Sequence, residues 1–262
     1  MEGPKITAAE LPTTEYGKTV NYGVTYDDKS SYGEGKWEIF YADENHIYLI
    51  TRGHLASDAL STSGYNGTSD FTEANLSTKF PAVKAGCLNK TYDPNAEEGS
   101  KLKYTSDKSN MKATEYLLDS TKWSSYVDSD YADWAIGGPT LELFVKSYNA
   151  YYTEKTDVTI ETPSGNGYKY DDALYSNESV PQKTYLNHYA GTTPSPMYYW
   201  LACPSSSNAY IVRYVSGAAG SVDGYNDILS RAFRPVVCLK SGVSLKWNST
   251  TNEYDLVKQQ KQ

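Results

Sequence analysis

Between Tyr199 and Leu239 the chain reads Tyr199-Trp200-Leu201-Ala202-Cys203-Pro204-Ser205-Ser206-Ser207-Asn208-Ala209-Tyr210-Ile211-Val212-Arg213-Tyr214-Val215-Ser216-Gly217-Ala218-Ala219-Gly220-Ser221-Val222-Asp223-Gly224-Tyr225-Asn226-Asp227-Ile228-Leu229-Ser230-Arg231-Ala232-Phe233-Arg234-Pro235-Val236-Val237-Cys238-Leu239. Both ends are apolar, β-branched or aromatic and predict strands, and the middle is built of short alternating pieces. From Cys203 to Phe233 there is no Lys, Glu, Gln, Trp or Met. At their frequency elsewhere in the chain, roughly five or six would be expected in such a window, so the bias calls for a cause.

Working outward, Val243 to Trp247 and Glu253 to Val257 predict a hairpin across Asn248-Ser249-Thr250-Thr251-Asn252. On the other side, Thr162 to Ser195 is rich in Gly and Pro and predicts loop. Gly137-Gly138-Pro139 opens a predicted helix with Leu141, Phe144, Val145 and Tyr148 on one face, Pro standing in the first turn. A second helix is predicted from an Asn110 cap through Ala113, Tyr116, Leu117, Trp123 and Val127. Ala56 to Thr105 predicts mostly loop. Lys36 to Tyr41 and His46 to Thr51, joined at Ala42-Asp43-Glu44-Asn45, predict a further hairpin, with another strand in Val20 to Tyr26. The expected organisation is an N-terminal lead or linker over 1–19, a single α+β domain over 20–257 with two helices packed on antiparallel sheets, and a tail over 258–262.

The chain has 262 residues, and 24 Lys+Arg against 32 Asp+Glu give a formal net charge of −8. That balance repels phosphate backbones and anionic membrane surfaces, which argues against a nucleic-acid partner. No apolar run reaches bilayer-spanning length, so no direct membrane insertion is expected. Met1-Glu2-Gly3-Pro4-Lys5 lacks the apolar core of a signal peptide, and a targeting or anchoring segment lost from the front of the chain is expected. The 26 Tyr beside only 5 Phe suit a surface that binds varied partners, or simply aromatics packed along strands. Cys87, Cys203 and Cys238 lack zinc-site spacing; they read as buried thiols, with a Cys203–Cys238 bridge open in an oxidising compartment. His46, His54 and His188 have no His or Cys at metal-ligand spacing and read as structural. Asp128, Asp130 and Asp133 open like a calcium loop but lack its Gly and distal Glu, so the solvated end of the predicted helix is expected. No cofactor, metal or catalytic residue is assigned.

Tyr199-Trp200-Leu201-Ala202-Cys203-Pro204 and Phe233-Arg234-Pro235-Val236-Val237-Cys238-Leu239, with the upstream stretches Trp37 to Thr51, Lys112 to Trp123 and Ala135-Ile136-Gly137-Gly138-Pro139, resemble the variable proteins of diversity-generating retroelements. That family includes a phage tropism determinant and bacterial surface proteins. The resemblance implies a C-type-lectin-like fold, related to the formylglycine-generating enzyme fold, that displays residues rewritten at template adenines. Asn codons altered at adenine yield Tyr, Ser, Asp, Ala, Gly, Leu, Ile and Arg, but not Lys, Glu, Gln, Trp or Met, which matches the bias across 203–233. The ligand-binding positions so implied are Asn208, Tyr210, Ile211, Tyr214, Ser216, Ala218, Ala219, Ser221, Asp223, Gly224, Tyr225, Asn226, Asp227, Leu229, Ser230 and Arg231. Tyr210, Tyr214 and Tyr225 are the expected anchors, and Val212, Val215 and Val222 the scaffold. The implied function is non-catalytic binding of a protein or glycan receptor, at a bacterial cell surface, extracellularly or on a virion. Against it stand a calcium-dependent carbohydrate-binding lectin, which would need a Glu-Pro-Asn-like or Gln-Pro-Asp-like loop, and an enzyme of the formylglycine-generating kind, which would need a paired cysteine site.

Overall fold

Trp37–Ala42 (β3) and Ile47–Thr51 (β4) pair antiparallel as the predicted hairpin. The turn between them is closed by the Asp43 carboxylate, which accepts from the backbone N–H of Asn45 at 2.8 Å and of His46 at 2.7 Å. Every residue of β4 is buried, as is Trp37 to Phe40 of β3. Both faces of this hairpin are therefore covered, which is why its sequence runs Ile-Tyr-Leu-Ile without a polar alternation. The computed structural model describes residues 4–30, 33–55, 123–139, 141–151, 186, 198–204, 211–216, 221–226 and 232–258.

Around the hairpin an eight-stranded sheet forms from Lys5–Ile6 (β1), Thr19–Asn21 (β2), β3, β4, Ala132–Ile136 (β5), Val236–Leu239 (β9), Ser244–Asn248 (β10) and Glu253–Val257 (β11). Its order is β1-β10-β11-β2-β3-β4-β9-β5. All its pairs are antiparallel except β11 with β2, which run parallel, so the expected purely antiparallel arrangement holds everywhere but there. A three-stranded antiparallel sheet, in the order given, consists of Tyr198–Pro204 (β6), Ile211–Ser216 (β7) and Ser221–Asn226 (β8). Leu141–Tyr151 (α1) is the predicted helix after Gly137-Gly138-Pro139. Leu143, Phe144, Ser147 and Tyr148 form its buried stripe, and the Ser147 hydroxyl donates to the Phe40 carbonyl of β3 at 2.5 Å. Among the described residues the protein is thus a mixed fold in which sheet outweighs helix.

Three expectations are corrected. The stretch expected as a lead or linker over 1–19 is part of the domain from Lys5 onward: β1 pairs with β10, Leu11 and Tyr16 are buried, and Gly17 and Lys18 exchange backbone hydrogen bonds with Ile39. Most of the helix predicted from Asn110 lies outside the described residues, but its end is not helical. Ser124–Tyr126 is a single 3-10 turn and Val127 is extended. There the Tyr22 hydroxyl donates to the Tyr126 carbonyl and accepts from the Asp128 N–H, each at 2.8 Å, and this tertiary anchor overrides helical propensity. The third concerns Tyr214 and is described below. Of the two readings left open for the cysteines, Cys238 follows the first: it is a free thiol buried in β9, and burial pushes its pKa up to about 12.

Tyrosines fill much of the core. Tyr16, Tyr22, Tyr26, Tyr48, Tyr148, Tyr199, Tyr214 and Tyr254 are buried, and the hydroxyl groups of several are spent on backbone. Tyr22 and Tyr26 stand edge-on to Trp37 at 5.1 and 5.8 Å, while the Trp37 indole donates to the Val24 carbonyl at 2.7 Å. Among the described residues, then, eight tyrosines serve the core rather than a surface.

Candidate functional site

Three strands carry the described part of the 203–233 segment. Tyr198, Tyr199 and Trp200 of β6 face Ser216, Val215 and Tyr214 of β7, and the pairing resumes past an irregularity at Pro204 with Val212. β7 and β8 pair without interruption from Ile211 with Asn226 to Ser216 with Ser221. Because side chains alternate across a pleated strand, this register puts Tyr214, Ser216, Ser221, Asp223 and Tyr225 at positions of one face, with Val212, Tyr198 and Trp200. Ile211, Gly224 and Asn226 fall on the other, with Val215, Val222 and Tyr199.

Tyr214 departs from expectation. It is only 6 % exposed, with its ring edge-on to Trp200 at 6.2 Å and to Tyr198 at 5.8 Å. Sitting directly across from Trp200 in the ladder, it serves cross-strand packing, and it is corrected from surface anchor to core residue. Tyr214→Leu is expected to lower stability by about 1–2 kcal/mol through loss of the two edge-on ring contacts, read by urea denaturation. Val215 is fully buried. Asn208, Tyr210, Ala218, Ala219, Asp227, Leu229, Ser230 and Arg231 lie outside the described residues.

The segment is closed at its base by its own flanks. Trp200 N–H donates to the Ala232 carbonyl at 3.1 Å and Ala232 N–H to the Tyr198 carbonyl at 2.7 Å, so the chain leaving the segment runs parallel beside β6. It then passes Leu55, whose N–H donates to the Phe233 carbonyl at 2.9 Å, and enters the large sheet as β9 between β4 and β5.

Beneath this junction lies a charged cluster that the sequence reading did not single out. Arg234 has no exposed surface. Its Nε donates to the Thr51 carbonyl at 3.0 Å, Nη2 lies 3.6 Å from Glu38 Oε2, and the guanidinium stands 4.9 Å from the centre of the Tyr199 ring. The other Glu38 oxygen is 3.5 Å from Arg52 Nε. Tyr199 in turn donates its hydroxyl to the Leu186 carbonyl. Burial drives the Glu38 carboxyl up to about 7, against the pull of Arg234 and Arg52. Burial likewise drives His54 down to about 4, opposed by the Asp28 charge and helped by Arg234, so His54 is neutral. Asp28 is held in a turn by Ser30 N–H at 2.8 Å, Ser30 Oγ at 2.6 Å and Gly35 N–H at 3.2 Å. A charged residue inside each of two strand-like apolar runs, Glu38 after Trp37 and Arg234 after Phe233, was the available signal.

The acidic stretch, expected as a solvated helix end, is a turn that follows an extended Val127. Asp128 Oδ1 accepts from Asp130 N–H at 2.9 Å, and Asp130 pairs with Lys258 at 2.8 Å. Among the described residues no group of His, Cys, Asp and Glu is arranged to hold a metal ion. Searches of protein-family models, of curated proteins and of solved structures find no match to this chain.

Proposed function

We propose that the protein is a non-catalytic ligand-binding protein, of C-type-lectin-like fold, whose 203–233 segment is a hypervariable surface diversified by a retroelement. It recognises a protein or glycan receptor from a bacterial surface or a virion. The observation that carries this reading is the restricted alphabet of 203–233, confined to what adenine-altered Asn codons and an apolar scaffold supply. The fold supports it physically. β7 and β8 form a regular two-stranded ribbon whose base is tied into the core, so side chains beyond the base can change identity at little ordering cost.

With Tyr214 assigned to packing, Tyr210 and Tyr225 are the proposed anchors. Probed on arrays of bacterial surface glycans and proteins, Tyr210→Ala with Tyr225→Ala should lose every contact the unaltered protein makes, with the melting temperature moved by no more than about 2 °C. Retained binding, or a large loss of stability, would remove these residues from the binding surface. Binding should also survive a chelator; its loss would favour the calcium-dependent lectin instead.

A further inference from the structure

We propose that Arg234 is a positioning residue, clamping the base of the variable segment so that its presentation is independent of its sequence. The clamp has one arm on each sheet. On the large sheet the guanidinium is fixed by the hydrogen bond from Nε to the Thr51 carbonyl of β4 at 3.0 Å, with Glu38 of β3 at ion-pair distance, 3.6 Å from Nη2. On the small sheet it lies over the Tyr199 ring of β6, at 4.9 Å. Tyr199 stands four residues before the segment and Arg234 immediately follows it, so the stack joins its two flanks. The backbone exchange of Ala232 with Tyr198 and Trp200 closes the same loop from beside it.

Glu38, Thr51, Tyr199 and Arg234 all lie outside 203–233. No substitution within the segment therefore removes a clamp partner, and the ribbon is held from the same base whatever residues it carries. A planar, delocalised cation suits the task. It donates to a carbonyl while lying over a ring, a combination that a lysine ammonium on a flexible stem does not reproduce. The clamp's value for ligand presentation rests on the binding function proposed above, but its test does not.

The test is hydrogen exchange on the full chain, read by mass spectrometry. In Arg234→Lys, amides of 198–204 and 211–226 should exchange at least ~10-fold faster, while those of β10 and β11 stay within about 2-fold. Tyr199→Leu leaves Arg234 its contacts on the large sheet and should give the same regional pattern; it decides the matter if the lysine variant does not fold. Acceleration spread equally over β6–β8 and β10–β11, or none in either variant, would overturn the clamp. Exchange is read without ligand, so a failed binding assay leaves the clamp standing and a failed clamp leaves the binding surface standing.

Discussion

Gly138→Ala is expected to cost more than about 3 kcal/mol and to leave little folded protein at 37 °C. Gly138 lies in the bend between β5 and α1, packed flat against the backbone of β6. A Cβ built there falls well inside contact distance of the Trp200 carbonyl oxygen, 3.0 Å from its carbonyl carbon and 3.5 Å from Leu201 Cα. These are backbone atoms of a paired strand and cannot rotate away as a side-chain tip could. The neighbouring Gly137 carbonyl accepts from Val236 N–H at 3.3 Å, so the bend is tied to β9 as well. Gly23 is the natural control. Its φ is +84° but nothing lies within 4 Å of a Cβ there, so Gly23→Ala should cost only the left-handed backbone penalty, about 1 kcal/mol. Urea melts of the two variants separate the claims, and equal losses would mean that β6 does not rest on Gly138.

The second large effect is a pair of opposite pH profiles. Glu38 has a folded pKa raised from 4.5 to about 7, so its contribution is complete below pH 4.5 and is lost as pH rises to about 7. His54 has a folded pKa lowered from 6.5 to about 4, so its contribution is complete above pH 6.5 and is lost as pH falls to about 4. Between pH 4.5 and 6.5 the folded protein keeps a proton on Glu38 and none on His54, and the unfolded chain does the reverse. Proton counts match, and these two groups leave stability nearly flat there. Relative to the unaltered protein, Glu38→Gln should therefore become more stable with rising pH across this window. His54→Gln should become less stable, each by up to roughly 1.4 kcal/mol per pH unit. Comparison with the unaltered protein cancels the surface carboxylates. Parallel profiles for both variants would mean that neither group titrates abnormally.

What the sequence made legible followed from local chemistry. The β3–β4 and β10–β11 hairpins were readable because apolar alternation and turn residues act over a few positions, and α1 because Gly-Gly-Pro marks its start. The parallel contact of β11 with β2 joins residues more than two hundred apart in sequence, and no local pattern encodes it. Leu11 and Tyr16 have polar surroundings that read as linker, yet both side chains are taken up by the core, Tyr16 against Tyr41 and the Ala42 backbone of β3. Tyr214 looked like its neighbours in a Tyr/Ser/Gly stretch. Only the register opposite Trp200 separates it from them. Glu38 and Arg234 were each visible, and their pairing was not, because it depends on β3 and β9 flanking β4.

The most direct test of the diversified binding surface is to sequence the DNA that flanks the gene. The account predicts a reverse-transcriptase reading frame nearby and a near copy of the segment coding for residues 200 to 237, differing from it only at adenines. Absence of both would contradict it and leave the composition of 203–233 without the cause assigned to it here.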